Sequence, residues 1–101
     1  MTPSFILSGS TMEKIREVNE FWGDQMPINL MEEVGEMLVP VSKMERELLM
    51  AKEPAIEGYK EDFVKEAGDV MICILALCER YSIDPWSIIS RIDHKLTKKY
   101  E

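Results

Sequence analysis

A chain of 101 residues with a formal charge of −7 and a pI near 4.7 has room for one small domain. Its hydrophobic share of 46% argues against disorder over most of the length. The acidic balance excludes a duplex nucleic-acid binder, because neutralising phosphates needs a basic face.

Residues 1–10 include Pro3, Gly9 and several hydroxyl side chains. They read as an N-terminal arm ahead of a single domain over 11–101. Ser4 to Leu7 offers the only strand-like alternation, and no charged start marks a secretory signal. Ser10 or Thr11 is placed to cap a first helix, in which Ile15, Val18, Phe21 and Trp22 recur at helical spacing. Gly23 and Asp24 weaken that pattern, and Pro27 is expected to end it.

A second helix is expected to open at Ile28 or Asn29, with Leu30, Val34, Met37 and Leu38 as its apolar stripe. Pro40 removes one hydrogen bond and crowds the carbonyl of Glu36. The helix is therefore expected either to kink there or to break and restart near Ser42, running on through Met44, Leu48 and Leu49. Lys52 to Gly58, with Pro54, reads as a loop.

A third helix is predicted from Tyr59 to Tyr81, amphipathic first and then apolar on every side from Val70 to Cys78. That run is too short to cross a bilayer. An all-round apolar helix must be covered all round, so a subunit interface is expected, in a homodimer or homotetramer. Cys73 and Cys78, five apart, suit neither a metal pair nor a Cys-x-x-Cys redox site. They read as buried thiols in a reducing, cytoplasmic compartment. Asp84 and Pro85 open a fourth helix as N-cap and first helical residue, with Trp86, Ile89, Ile92 and Leu96 on its apolar face. The expected fold is all-α, a bundle of four to five helices whose core is completed by oligomerisation.

Two segments resemble one another: Glu33-Val-Gly-Glu36 and Glu66-Ala-Gly-Asp69. Acids three apart on a helix share a face. In each case they fall on the same margin of the neighbouring apolar stripe, so packing the two stripes would gather four carboxylates at one edge. Like charges so placed repel and raise one another's pKa. A divalent cation with a preference for hard oxygen ligands removes the conflict, and magnesium is the natural choice. Gly35 and Gly68 each cost about 1 kcal/mol against alanine in a helix, which points to close helix approach or room for a ligand.

With these residues in view, the chain resembles the all-alpha nucleoside triphosphate pyrophosphohydrolases, the MazG and dCTP pyrophosphatase group. The resemblance rests on Glu32-Glu33-x-x-Glu36 followed by Glu66-x-x-Asp69, on the lead-in from Trp22 to Leu30, on Lys65 to Val70, and on the basic end from Ser90 to Tyr100. It covers about Thr11 to Tyr100. The sequence departs from the pattern in a long gap between the acid pairs, in Pro40, and in lacking an asparagine of the basic end.

The resemblance implies hydrolysis of a nucleoside triphosphate, ribo or deoxy, to the monophosphate and pyrophosphate. Glu33, Glu36, Glu66 and Asp69 would hold magnesium, with manganese as the alternative. Glu32 would orient or deprotonate a water, or else only support the metal ligands from behind, with Glu33 beside it in the catalytic set. Lys95, Lys98 and Lys99 would hold the outer phosphates; each also suits a helix C-terminus. Of Phe21 and Trp22, the aromatics able to stack on a base, Trp22 is preferred, although core packing accounts for either. His94 reads as a surface residue. A phosphoribosyl-ATP pyrophosphohydrolase-like enzyme and a non-catalytic helical dimerisation module stay open as alternatives. No nucleic-acid polymer and no membrane is expected as a partner.

Overall fold

The structure is a computed structural model that describes residues 7–50 and 56–100. Helix α1 (Gly9–Trp22), a single 3-10 turn (Gly23–Gln25), α2 (Met26–Leu49), α3 (Ile56–Arg80) and α4 (Pro85–Tyr100) follow in order. The fold is all-helical, with no strand among the described residues. Of the expected Ser4–Leu7 alternation, residues 4–6 lie outside the described residues and Leu7 is not in a strand.

The hydroxyl that caps α1 is that of Ser8, which accepts the Thr11 N–H at 3.2 Å. Ser10 and Thr11, the expected caps, lie inside the first turn. The three hydroxyls are chemically alike, and only the extended backbone at Ser8 (φ −64, ψ 158) separates the cap from its neighbours. At the other end Gly23 adopts φ +51 and returns its N–H to the Asn19 carbonyl. A side chain would be strained there, so glycine is what stops α1.

Pro27 does not end a helix but sits in the first turn of α2, where a missing N–H leaves no bond unmade. So α2 begins at Met26, ahead of the expected Ile28 or Asn29. It also runs unbroken through Pro40 to Leu49, with no restart at Ser42. The Pro40 ring is buried, and the packing of α2 along α3, the most extensive in the chain, holds the helix together against a penalty of about 3 kcal/mol.

Helix α3 starts at Ile56, so Ile56 to Gly58 are helical rather than loop; residues 52–55 of the expected loop lie outside the described residues. Glu57 stands in its first turn, paired with Lys60 at 2.9 Å, where an acid complements the dipole. Beyond Arg80 the chain turns through Ser82 at φ +55, and the Ile83 N–H bonds to the Cys78 carbonyl at 2.8 Å. Asp84 then caps α4 as expected, its Oδ1 accepting the Trp86 N–H at 3.0 Å.

The core gathers where α1, the start of α2 and the second half of α3 meet. Ile15, Met26, Cys73 and Ala76 are its buried centre, with Met12, Val18, Trp22, Leu30, Leu75 and Leu77 packed around them. Arg16 closes the α1–α3 edge by an ion pair to Glu79 at 2.8 Å. The expected bundle of four to five helices is not confirmed. Three helices pack into one body, whereas α4 adds no packing of comparable extent; on its stripe Trp86 and Ile89 are half-buried, and Ile92 and Leu96 are 51% and 50% exposed. Among the described residues no helix is long and apolar enough to cross a membrane.

Among the described residues Met26 is the largest fully buried side chain. Met26→Ala is expected to lower the unfolding free energy by about 2–5 kcal/mol, measured by urea titration, from lost transfer energy and the cavity left behind. An unchanged midpoint would show that the core is not centred there.

Candidate metal centre

Antiparallel packing of α2 on α3 sets the geometry of the acids. The Asn29 amide of α2 donates to the Cys73 Sγ of α3 at 3.3 Å. Further along the pair the Lys43 ammonium lies 5.6 Å from the centre of the Tyr59 ring. Between these two crossings, Glu33, Glu66 and Asp69, all half-buried, each offer a carboxylate oxygen, and the three oxygens lie within 4.8 Å of one another. Glu33 Oε2 and Glu66 Oε2 are buried without a hydrogen-bond partner.

Electrostatics at this point are one-signed. Burial first, then the charges of Glu36, Asp69, Glu66 and Glu32, push the Glu33 carboxyl above its ordinary value of 4.5. The Cys73 thiol is also pushed up, by burial and then by Glu33 and Asp69. Each charge named here is a carboxylate. The residues fit a hard divalent cation: three oxygen donors within reach of one ion, two of them carrying buried oxygens that lack any other partner.

Not every residue proposed from the sequence joins this group. Glu36 is exposed and stands outside the three, although its charge is the strongest of those acting on Glu33. Glu32 is exposed, and its charge is the weakest of them. Trp22 packs on the core, whereas Phe21 is 78% exposed, meeting the Trp22 ring edge-on at 5.2 Å between centroids. Lys95 and Lys98 line an open hollow on α4 with Arg91 and His94, apart from the acid group; the side chain of Lys99 lies outside the described residues.

Among the described residues Gly35 and Gly68 have nothing within 4 Å of where a Cβ would stand, so no other described helix approaches them. Asn29 is the residue that sequence reasoning passed over at the site. Its signal was a polar side chain next to Leu30, one turn before Glu33, on the face that packs against α3.

Comparison of the chain with protein-family models, with curated proteins and with solved structures finds no match in any of the three.

The raised Glu33 pKa has a consequence for stability. The folded state binds this proton more tightly than the unfolded chain does, so folding weakens as pH rises from about 4.5 through the folded value. Glu33→Gln removes the charge that causes this loss. In chelator-treated protein at low salt, the variant is expected to melt above wild type at neutral pH, the gap closing toward pH 4.5. Equal melting temperatures across that range would contradict the crowding of carboxylates.

Proposed function

We propose that the chain is a magnesium-dependent nucleotide pyrophosphohydrolase, cleaving a ribo- or deoxynucleoside triphosphate to the monophosphate and pyrophosphate. The observation that carries this reading is the convergence of Glu33, Glu66 and Asp69, with two buried oxygens lacking partners. The sequence pattern that resembles the all-alpha pyrophosphohydrolases supplies the reaction class.

Glu33, Glu66 and Asp69 would hold the ion, with the exposed Glu36 beside them as the fourth carboxylate. Magnesium, or manganese in its place, would act there as a Lewis acid and offset charge on the phosphate oxygens. Glu32, exposed and adjacent to Glu33, is free to accept a proton. The water oxygen ends on the phosphorus it attacks, the α–β bridging P–O bond breaks, and the released proton passes to Glu32. Lys95 and Lys98, which line a hollow with Arg91 and His94, would meet the outer phosphates only where assembly of chains brings an α4 to the acids. Phe21 presents an open ring to a base and Trp22 holds its edge.

The working form is a homodimer or homotetramer. Met31, Leu38 and Val39 on α2 are 73%, 52% and 51% exposed, and Val64, Met71 and Ile72 on α3 are 64%, 52% and 40% exposed. Gly35 and Gly68 fall among them with open space above. Apolar side chains interrupted by glycine let another helix come close. The same face would also serve a helical module without catalysis, and nucleotide turnover separates the two.

A panel of nucleoside triphosphates with magnesium is expected to yield pyrophosphate rather than orthophosphate. Glu66→Gln is expected to lower turnover by at least about a hundredfold, the upper end of what losing a supporting group at a metal site costs. Magnesium at a hundredfold excess over its Kd should stabilise wild type by about 2.7 kcal/mol and leave Glu66→Gln unchanged. Failure of every nucleotide to give pyrophosphate removes the enzymatic reading.

Leu38→Lys combined with Met71→Glu is expected to shift sedimentation from oligomer to monomer while helicity persists. A wild-type chain that already sediments as a monomer contradicts the assembly.

A further inference from the structure

Among the described residues, Asn29 is the one buried polar side chain, 7% exposed. Its Nδ2 donates to the Met26 Sδ on its own helix at 3.7 Å and to the Cys73 Sγ of α3 at 3.3 Å. Sulfur is a weak acceptor, so these bonds return little of what burying an amide costs. A leucine of similar size would pack on Met26 and Cys73 without that loss. Stability alone gives no reason for an amide at this position.

What the amide supplies is axial choice. The apolar residues at helical spacing along the pair, Leu30, Val34 and Met37 on α2 and Phe63, Ala67 and Val70 on α3, are half-buried or buried, and such side chains tolerate repacking. A polar group with a single partner across an apolar interface selects one register from several. From the Asn29–Cys73 contact, four residues forward on α2 lead to Glu33 and four back on α3 lead to Asp69. Fourteen residues forward and fourteen back lead to Lys43 and Tyr59, which also meet. One register therefore holds along the pair. A slip of one turn would move Glu33 by about 5.4 Å, more than the 4.8 Å within which the three carboxylate oxygens lie.

We propose that Asn29 is a positioning residue, whose bond to the Cys73 thiol selects the α2–α3 register in which Glu33, Glu66 and Asp69 converge. The consequence for cation binding rests on the metal reading above, whereas the selection of register does not.

The full chain is compared with Asn29→Leu, Cys73→Val and Cys73→Ser. Binding of Mn2+ is followed by electron paramagnetic resonance of the free ion, and folding by urea titration. Asn29→Leu and Cys73→Val are expected to fold as stably as wild type yet bind Mn2+ about 10–100-fold more weakly. Cys73→Ser, which keeps an acceptor, should retain near-wild-type affinity, and Asn29→Leu with Cys73→Val should be no worse than either alone. A second readout needs no metal: nuclear Overhauser contacts between the Lys43 methylenes and the Tyr59 ring are expected in wild type and lost in Asn29→Leu.

Wild-type Mn2+ affinity together with an unchanged Lys43–Tyr59 contact in Asn29→Leu overturns the proposal. If wild type itself binds no Mn2+, the metal reading falls. The Lys43–Tyr59 contact then decides Asn29, and its persistence in the leucine variant overturns the proposal.

Discussion

The packing of α2 against α3 in a single antiparallel register is the constraint on which the rest of the structure depends. Asn29, Pro40, Val70 and Cys73 on this pair are buried, α2 stays continuous through a proline, and acids from two distant segments are drawn to one edge. Each element answers to it. The φ +51 turn at Gly23 lets α1 fold back on the same pair, and Ile15 fills the space beside Cys73 and Ala76. Removing water from the apolar faces is the main driving force, about 1.5–3 kcal/mol for each large side chain fully buried.

That packing works against an electrostatic and hydration cost at its margin. Glu33 Oε2 and Glu66 Oε2 lose water without gaining a partner, at about 1–3 kcal/mol for each such group. The penalty is comparable to what one or two core side chains contribute. A domain of this size tolerates it only because the strain lies at the edge of the interface and the core lies further along α3. Glu36 fits the same logic. A fourth carboxylate drawn inward would raise the repulsion on Glu33 further, and in the structure Glu36 is exposed instead.

Helix phase made much of this legible in the sequence. Acids three apart on the margin of an apolar stripe pointed to Glu33, Glu36, Glu66 and Asp69, and the structure gathers three of the four, Glu36 being exposed outside them. The Asp84–Pro85 start was equally legible, since both residues act within one turn. Other features depend on competition between local and tertiary terms. Pro40 breaks a helix by local rules, but it is buried in a helix that packs along α3, and no local rule contains that packing. Ser8, Ser10 and Thr11 differ too little for sequence to choose the cap. Trp22 and Phe21 are adjacent, and the fold of α1 on α3 decides which becomes core. The stripe of α4 predicted a bundle helix, yet amphipathicity states only that a face needs cover, not that the same chain provides it.

The repetition of the acid motif gives this helix pair two unlike edges. Glu33-Val-Gly-Glu36 and Glu66-Ala-Gly-Asp69 run in opposite directions in space, and the first three positions of each have matching exposure, whereas Glu36 is exposed and Asp69 half-buried. Met31, Gly35 and Leu38 on α2 correspond in spacing to Val64, Gly68 and Met71 on α3, and all six are exposed. Glu33, Glu66 and Asp69 fall on the packed margin and the glycines on the open flank. Glycine on that flank sacrifices helix propensity, about 1 kcal/mol each, with nothing among the described residues close enough to use the space. The two glycines and the two unpartnered carboxylate oxygens are thus alike in one respect: each lowers the stability of the isolated chain at a place suited to contact from outside it.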